Sequence, residues 1–147
     1  QRLVRTLCKN CKEATPASDL DLDFISRQYG ADYLPELGLP TPLMLYKPKG
    51  CDNCGNTGYK GRTGVHELLS MTPALRSLVY KEAPVSQLKS QAMDDGMRTL
   101  IQDGILKVIK GDTDIAQIQM LAGVWSSPSC ELKFTNWDFD SEVTRLR

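Results

Sequence analysis

Cysteine placement constrains this chain more than any other feature. Cys8-x-x-Cys11 and Cys51-x-x-Cys54 share the same two-residue gap, and residues 12–50, a 39-residue excursion, lie between them. A fifth cysteine, Cys130, stands alone. The two-residue gap lets both thiolates of a pair grip one ion. Two such pairs make a closed tetrahedral set with no open position, which points to structural zinc rather than a catalytic metal. An ion held this way contributes on the order of 10 kcal/mol to folding, large against the roughly 5–15 kcal/mol stability of a typical domain. It would pin the ends of an excursion that carries Pro35, Pro40, Pro42 and Pro48.

The second pair sits in GCDNCGNTGYKGR, residues 50–62. Gly55 and Gly58 relieve crowding where the chain turns back behind the second cysteine, and Gly50 frees the approach to it. Two other readings of the cysteines compete. A redox pair belongs at a helix N-terminus in a βαβ setting, whereas Cys51 follows a proline-rich run and precedes a glycine turn. Ordinary buried cysteines rarely fall into two matched pairs. A phosphate loop fails on spacing: GNTGYKG is not G-x-x-x-x-G-K-[ST], and no such loop occurs in the chain.

Arg62 lies between Gly61 and Thr63-Gly64, a setting expected to be an exposed turn. A guanidinium there would reach phosphate oxygens on a neighbour. The plainer reading pairs it with a carboxylate such as Glu67. His66 is the sole histidine, has no nucleophile or carboxylate constellation around it, and reads as a strand or surface residue.

The 147 residues leave room for one ordinary domain or two small ones. A net charge of zero gives no global field toward nucleic acid or an anionic membrane. Arg2, Arg5, Lys9 and Lys12 form a basic cluster, but no aromatics interleave with them as a nucleic-acid surface would require. No apolar run approaches the roughly 18–20 residues that span a bilayer. The chain opens on Gln1 within an amphipathic stretch, which suggests a piece of a longer protein.

Periodicity places the elements. Leu3, Val4 and Leu7 recur at helical spacing and predict a short helix up to the first cysteine pair. Ser18 caps a second, with Phe24, Ile25 and Tyr29 on its apolar face and Gly30 as its stop. Residues 34–50 are not helical, and Leu43 and Leu45 alternate with Met44 and Tyr46 as in an edge strand. Residues 63–71 read as a strand. From Thr72-Pro73 the period changes, and four short helices follow, the first carrying Leu75, Leu78 and Val79 and the others ending near Gly96, Gly111 and Gly123, with Gly104 a weak point inside the third. The expected fold is therefore mainly α with a small β/zinc-knuckle element. Residues 1–62 would form a tetracysteine zinc-binding subdomain, and 63–123 a strand plus a compact four-helix subdomain. The tail, 124–147, holds both tryptophans with Phe134 and Phe139, which would dock on the helices or form a hairpin.

Three stretches taken together resemble the C-terminal part of the type II secretion and type IV pilus assembly ATPases, the GspE/PilB kind. They are QRLVRTLC-x-x-C, GC-x-x-C-x-x-TGYKGRTGVHELL and GMRTLIQDGILKVIKGDT, and the likeness runs from residue 1 to about 123. The resemblance implies a homo-hexameric cytoplasmic motor at the inner face of the bacterial inner membrane. That motor uses ATP and Mg2+ to drive pseudopilus or pilus assembly. It implies that Cys8, Cys11, Cys51 and Cys54 are zinc ligands and that Arg62 lies near nucleotide in the assembled parent. The family's P-loop, acidic boxes and catalytic glutamate belong upstream of QRLVR, so no catalytic residue is expected here. Implied partners are the ATPase core of the same chain, neighbouring subunits and the inner-membrane platform protein, with no nucleic acid. Two other classes stand beside this reading. One is a zinc-dependent protein- or RNA-binding module, since CDNCGNTGYKG loosely resembles a J-protein chaperone zinc unit with its first glycine one place early. The other is a thiol oxidoreductase cycling a Cys51–Cys54 disulfide.

Overall fold

A computed structural model describes residues 1–122. The expectations for the tail and for Cys130 lie outside the described residues. Among the described residues four strands and five α-helices make a mixed α/β fold, not the mainly α one the helical periodicity suggested.

The first departure is at the start of the chain. Residues Arg2–Leu7 are a strand, β1, not a helix. β1 pairs antiparallel with β4, Tyr59–Val65, in the register Arg2↔Val65, Val4↔Thr63, Arg5↔Arg62 and Leu7↔Tyr59. The register shifts between Arg5 and Leu7. That break ends strict alternation, and Val4 and Leu7, three apart, are both buried. An irregular strand thus imitates the spacing of a helix, while Leu3, the third member of the apolar set, stays exposed. β4 also begins earlier than expected, and the chain leaves the ladder after Val65, so residues 66–71 are irregular and expose Leu68, Leu69 and Met71.

A second ribbon pairs β2, Glu13–Pro16, with β3, Met44–Lys47, in the register Glu13↔Lys47 to Pro16↔Met44. Lys49 and Glu13 form an ion pair at its open end. The alternation predicted around β3 holds, with Leu43 and Leu45 buried and Met44 exposed. Between the two strands α1, Asp19–Tyr29, starts in a capping box: Ser18 Oγ accepts from the Asp21 amide, and the Asp21 carboxylate accepts from the Ser18 amide. Ile25 and Tyr29 bury its inner face, and the Gly30 amide closes its end on the Ser26 carbonyl. One 3₁₀ turn, Leu34–Leu37, interrupts the proline-rich stretch that was expected to lack helix.

Four helices follow where the period changes. They are α2, Pro73–Tyr80; α3, Val85–Asp94; α4, Leu100–Ile109; and α5, Ile115–Ala122. Thr72 caps α2, and Thr99 with Gln102 forms a capping box on α4. α2 and α3 pack on each other, and an apolar groove lined by Met71, Val79, Val85 and Leu88 opens beside them. α4 and α5 instead join the strands. One core cluster contains Val4 and Val65 from the first ribbon, Ile25 and Tyr29 from α1, Leu45 from β3, and Ile105, Val108, Ile115 and Ile118 from α4 and α5. Gly104 is a packing site rather than a weak point: a Cβ there would lie 2.8 Å from Ile118 Cδ1, so its lack of a side chain lets α5 approach α4 closely. Among the described residues no helix is long and apolar enough to cross a membrane.

Candidate metal centre

The ladder that replaces the expected first helix also brings the cysteines together. Beyond Leu7 the Cys8 amide continues the β1–β4 pairing by donating to the Gly58 carbonyl at 2.9 Å. Cys8 then starts a tight turn in which the Cys11 and Lys12 amides both donate to its carbonyl. The second pair makes a similar turn, Asp52–Cys54 in 3₁₀ form, with the Cys54 and Asn56 amides donating to the Cys51 carbonyl. Two knuckles therefore face each other across the end of one ribbon.

All four Sγ atoms lie within 4.8 Å of one another. Cys8–Cys51 is 3.9 Å, Cys11–Cys54 3.8 Å and Cys51–Cys54 3.8 Å. A tetrahedron of thiolates with zinc–sulfur arms of about 2.3 Å has edges of about 3.8 Å, so the spacing fits that ion. A disulfide needs about 2.05 Å, and all four thiols are free. Four sulfurs converging on one point are more than a two-thiol redox couple requires.

The backbone supports the charge such a site carries. The Cys51 and Gly58 amides donate to Cys54 Sγ at 3.3 and 3.2 Å. Burial works against ionising Cys54, but these two donors outweigh it and bring its thiol down to about 6. Cys11 goes the other way: burial, the leading cause, and the neighbouring sulfurs push its thiol up to about 12. The Asn10 backbone donor lowers Cys8. Without a cation, then, four adjacent sulfurs do not all ionise. A dication at their centre removes that conflict, since a coordinating thiol is deprotonated outright. Gly58 is needed for the approach, because at φ +76 a Cβ would lie 2.3 Å from Pro48 Cβ.

Arg62 sits within β4 rather than on a turn, exposed and directly opposite Arg5. No hydrogen bond or ion pair to its side chain is found among the described residues. Glu67, the expected partner, instead accepts from the Leu100 amide at 3.0 Å. His66 is an exposed residue just past β4, its Nδ1 3.7 Å from Asp103.

One cluster beside the knuckles gave no sequence signal. Tyr59 donates its hydroxyl to Asp114 Oδ2 at 2.7 Å, and Asp114 Oδ1 accepts from the Gln117 amide in the first turn of α5. Asp114 is buried. Burial first, and then this hydrogen bond, raise the Tyr59 hydroxyl to about 12. Its partners are remote in sequence, so no local pattern marks it.

Comparison with known proteins agrees with the motif reading. Residues 1–120 match the family described as type II/IV secretion system protein. The type IV pilus assembly ATPase TfpB of Acinetobacter baylyi is 38% identical over 118 residues, covering 80% of this chain and 19% of that protein. The type II secretion system ATPase E of Vibrio cholerae is also 38% identical, over 122 residues, covering 80% of this chain and 21% of that protein. The type IV pilus assembly ATPase PilB of Pseudomonas aeruginosa is 33% identical over 122 residues, covering 80% and 19%. The chain spans about a fifth of the length of these relatives.

Proposed function

The chain belongs to the type II/IV secretion system protein family, and from that premise we propose that it works as the zinc-stapled C-terminal region of a bacterial assembly ATPase. The observation that carries this reading is the set of four Sγ atoms within 4.8 Å, placed on a family match that includes all four cysteines. Cys8, Cys11, Cys51 and Cys54 would hold a Zn2+ ion, whose chemistry with four thiolates is structural bracing. The unit 1–62 would brace the motor core. The helical region 63–123 would pack against that core or against an inner-membrane platform protein.

ATP and Mg2+ would bind elsewhere in the parent, a homo-hexamer at the cytoplasmic face of the inner membrane, and this region alone would not hydrolyse ATP. Arg62 would reach nucleotide phosphates in the assembled ring. Its exposure and its place opposite Arg5 support that role: two like charges across a ladder are unfavourable alone, and an anion relieves them. Type II secretion through pseudopilus assembly is the first reading. Pilus assembly is the second, favoured by relatives of equal identity that carry that name.

Elemental analysis of freshly purified protein tests the staple, with one zinc per chain expected and less than half an equivalent overturning it. In the full-length ATPase, Cys54→Ser is expected to abolish secretion or piliation together with the bound zinc. Normal export by a zinc-free variant would overturn the bracing role.

A further inference from the structure

We propose that occupancy of the four-cysteine site is linked to the order of the α4–α5 turn and of α5, through bonds made by residues that flank the two knuckles within five positions of a cysteine. The inference rests on the zinc reading above and goes beyond it, because it makes a distant helix part of the metal site's response.

The bonds are specific. Leu7, which precedes Cys8, donates its amide to the Asp112 carbonyl at 2.8 Å. Lys12, which follows Cys11, donates Nζ to the Gly111 carbonyl at 2.7 Å and lies over the Tyr46 ring. Tyr59 follows Gly58, the residue whose amide binds Cys54 Sγ, and donates to Asp114 at 2.7 Å. Arg5 closes the set, its carbonyl accepting from Thr113 Oγ1 at 2.8 Å and its amide donating to Gln117 Oε1 at 3.2 Å. Every residue of the turn from Gly111 to Asp114 is thus bonded to β1, β4 or the first knuckle.

Thr113 is 0% and Asp114 6% exposed, so water does not readily replace these partners. Asp114 also caps the first turn of α5 through Gln117, so tilting Tyr59 away disturbs the helix start itself. When the ion leaves, the sulfurs lose the charge that holds them together, and the knuckles carry Leu7, Lys12 and Tyr59 with them. The coupling is reciprocal: whatever loosens α5 weakens the hold on the ion by the same factor. α2 and α3, which pack on each other away from the knuckles, share none of these bonds.

Amide hydrogen exchange on the full chain, zinc-loaded and then chelator-stripped under reducing conditions, reads the link. Stripping is expected to deprotect residues 111–122 several-fold while leaving α2 and α3 unchanged. Change confined to residues 8–12 and 50–58, or equal loss over all helices, would overturn the proposal. The second arm uses Thr113→Val and Tyr59→Phe, near-isosteric changes that leave every thiol in place. Both are expected to speed zinc transfer to a chromogenic chelator several-fold, with Ser77→Ala on α2 as the unchanged control. Wild-type transfer rates in both folded variants would overturn the link while the zinc reading stands. Freshly purified protein without zinc would overturn both.

Discussion

Cys8 donates its backbone N–H to the Gly58 carbonyl at 2.9 Å, and this one bond joins the first cysteine pair to the loop that carries the second. It extends the β1–β4 ladder by one step and brings the four thiols within 4.8 Å of one another at the end of a strand pairing. The consequences for stability follow from that shared origin.

Cys54→Ser should cost more than the cysteine excursion. Val4 and Val65 of the ladder share a core with Ile105, Val108 and Ile118, so loosening the knuckles reaches α4 and α5. Losing a structural metal ranks among the most damaging single changes, about 4 kcal/mol or more. Urea unfolding in saturating zinc is expected to show the loss. A midpoint equal to that of the wild type would count against a metal-dependent fold.

Gly104→Ala is expected to destabilise, although alanine is the better helix former by about 1 kcal/mol. The added Cβ would meet Ile118 Cδ1 at 2.8 Å, and overpacking of that kind costs roughly 1–3 kcal/mol. Ile118→Val removes the offending methyl. The double variant should therefore recover part of the loss, a non-additivity that denaturant titration resolves.

The metal-free thiols should respond to pH in opposite directions. Cys54 ionises at about 6 in the fold against an ordinary 9.0, so its stabilisation is complete above 9.0 and is lost as pH falls toward 6. Cys11, raised to about 12, stays protonated in the fold where the unfolded chain ionises, so it weakens the fold as pH climbs from 9.0 toward 12. Metal-free, reduced protein is thus expected to gain stability from about pH 6 to 9 and lose it above. Alkylation at pH 7 read by mass spectrometry should label Cys54 first and Cys11 last. Equal labelling of the two would contradict the assignment.

Arg62→Ala separates a ligand role from a fold role. Removing one of two facing guanidiniums is expected to leave stability unchanged or raise it by about 0.2–1 kcal/mol. In the assembled full-length ATPase the same change is expected to lower turnover. Undiminished turnover would return Arg62 to an ordinary surface cation.

Much of this molecule was legible locally. The two C-x-x-C pairs, the Ser18 and Thr72 caps and the periods of the last four helices rest on contacts within a few residues, where spacing carries the information. β1 was misread because a register shift buries Val4 and Leu7 three apart, which is also helical spacing. β2 gave no signal, since its four residues EATP acquire strand form only against Met44–Lys47.

The sequence by itself determined the pairing of the four clustered cysteines into two C-x-x-C units and the helix periods, because residue type and short spacing suffice for those. Tertiary structure alone decided that residues 2–7 form a strand, that Gly104 is a contact point for Ile118, and that Lys12, Tyr59 and Leu7 tie the knuckles to the α4–α5 turn. Each of these depends on a partner some forty to a hundred residues away, or on a helix packed across from it, and side-chain spacing along the chain does not encode which partner arrives.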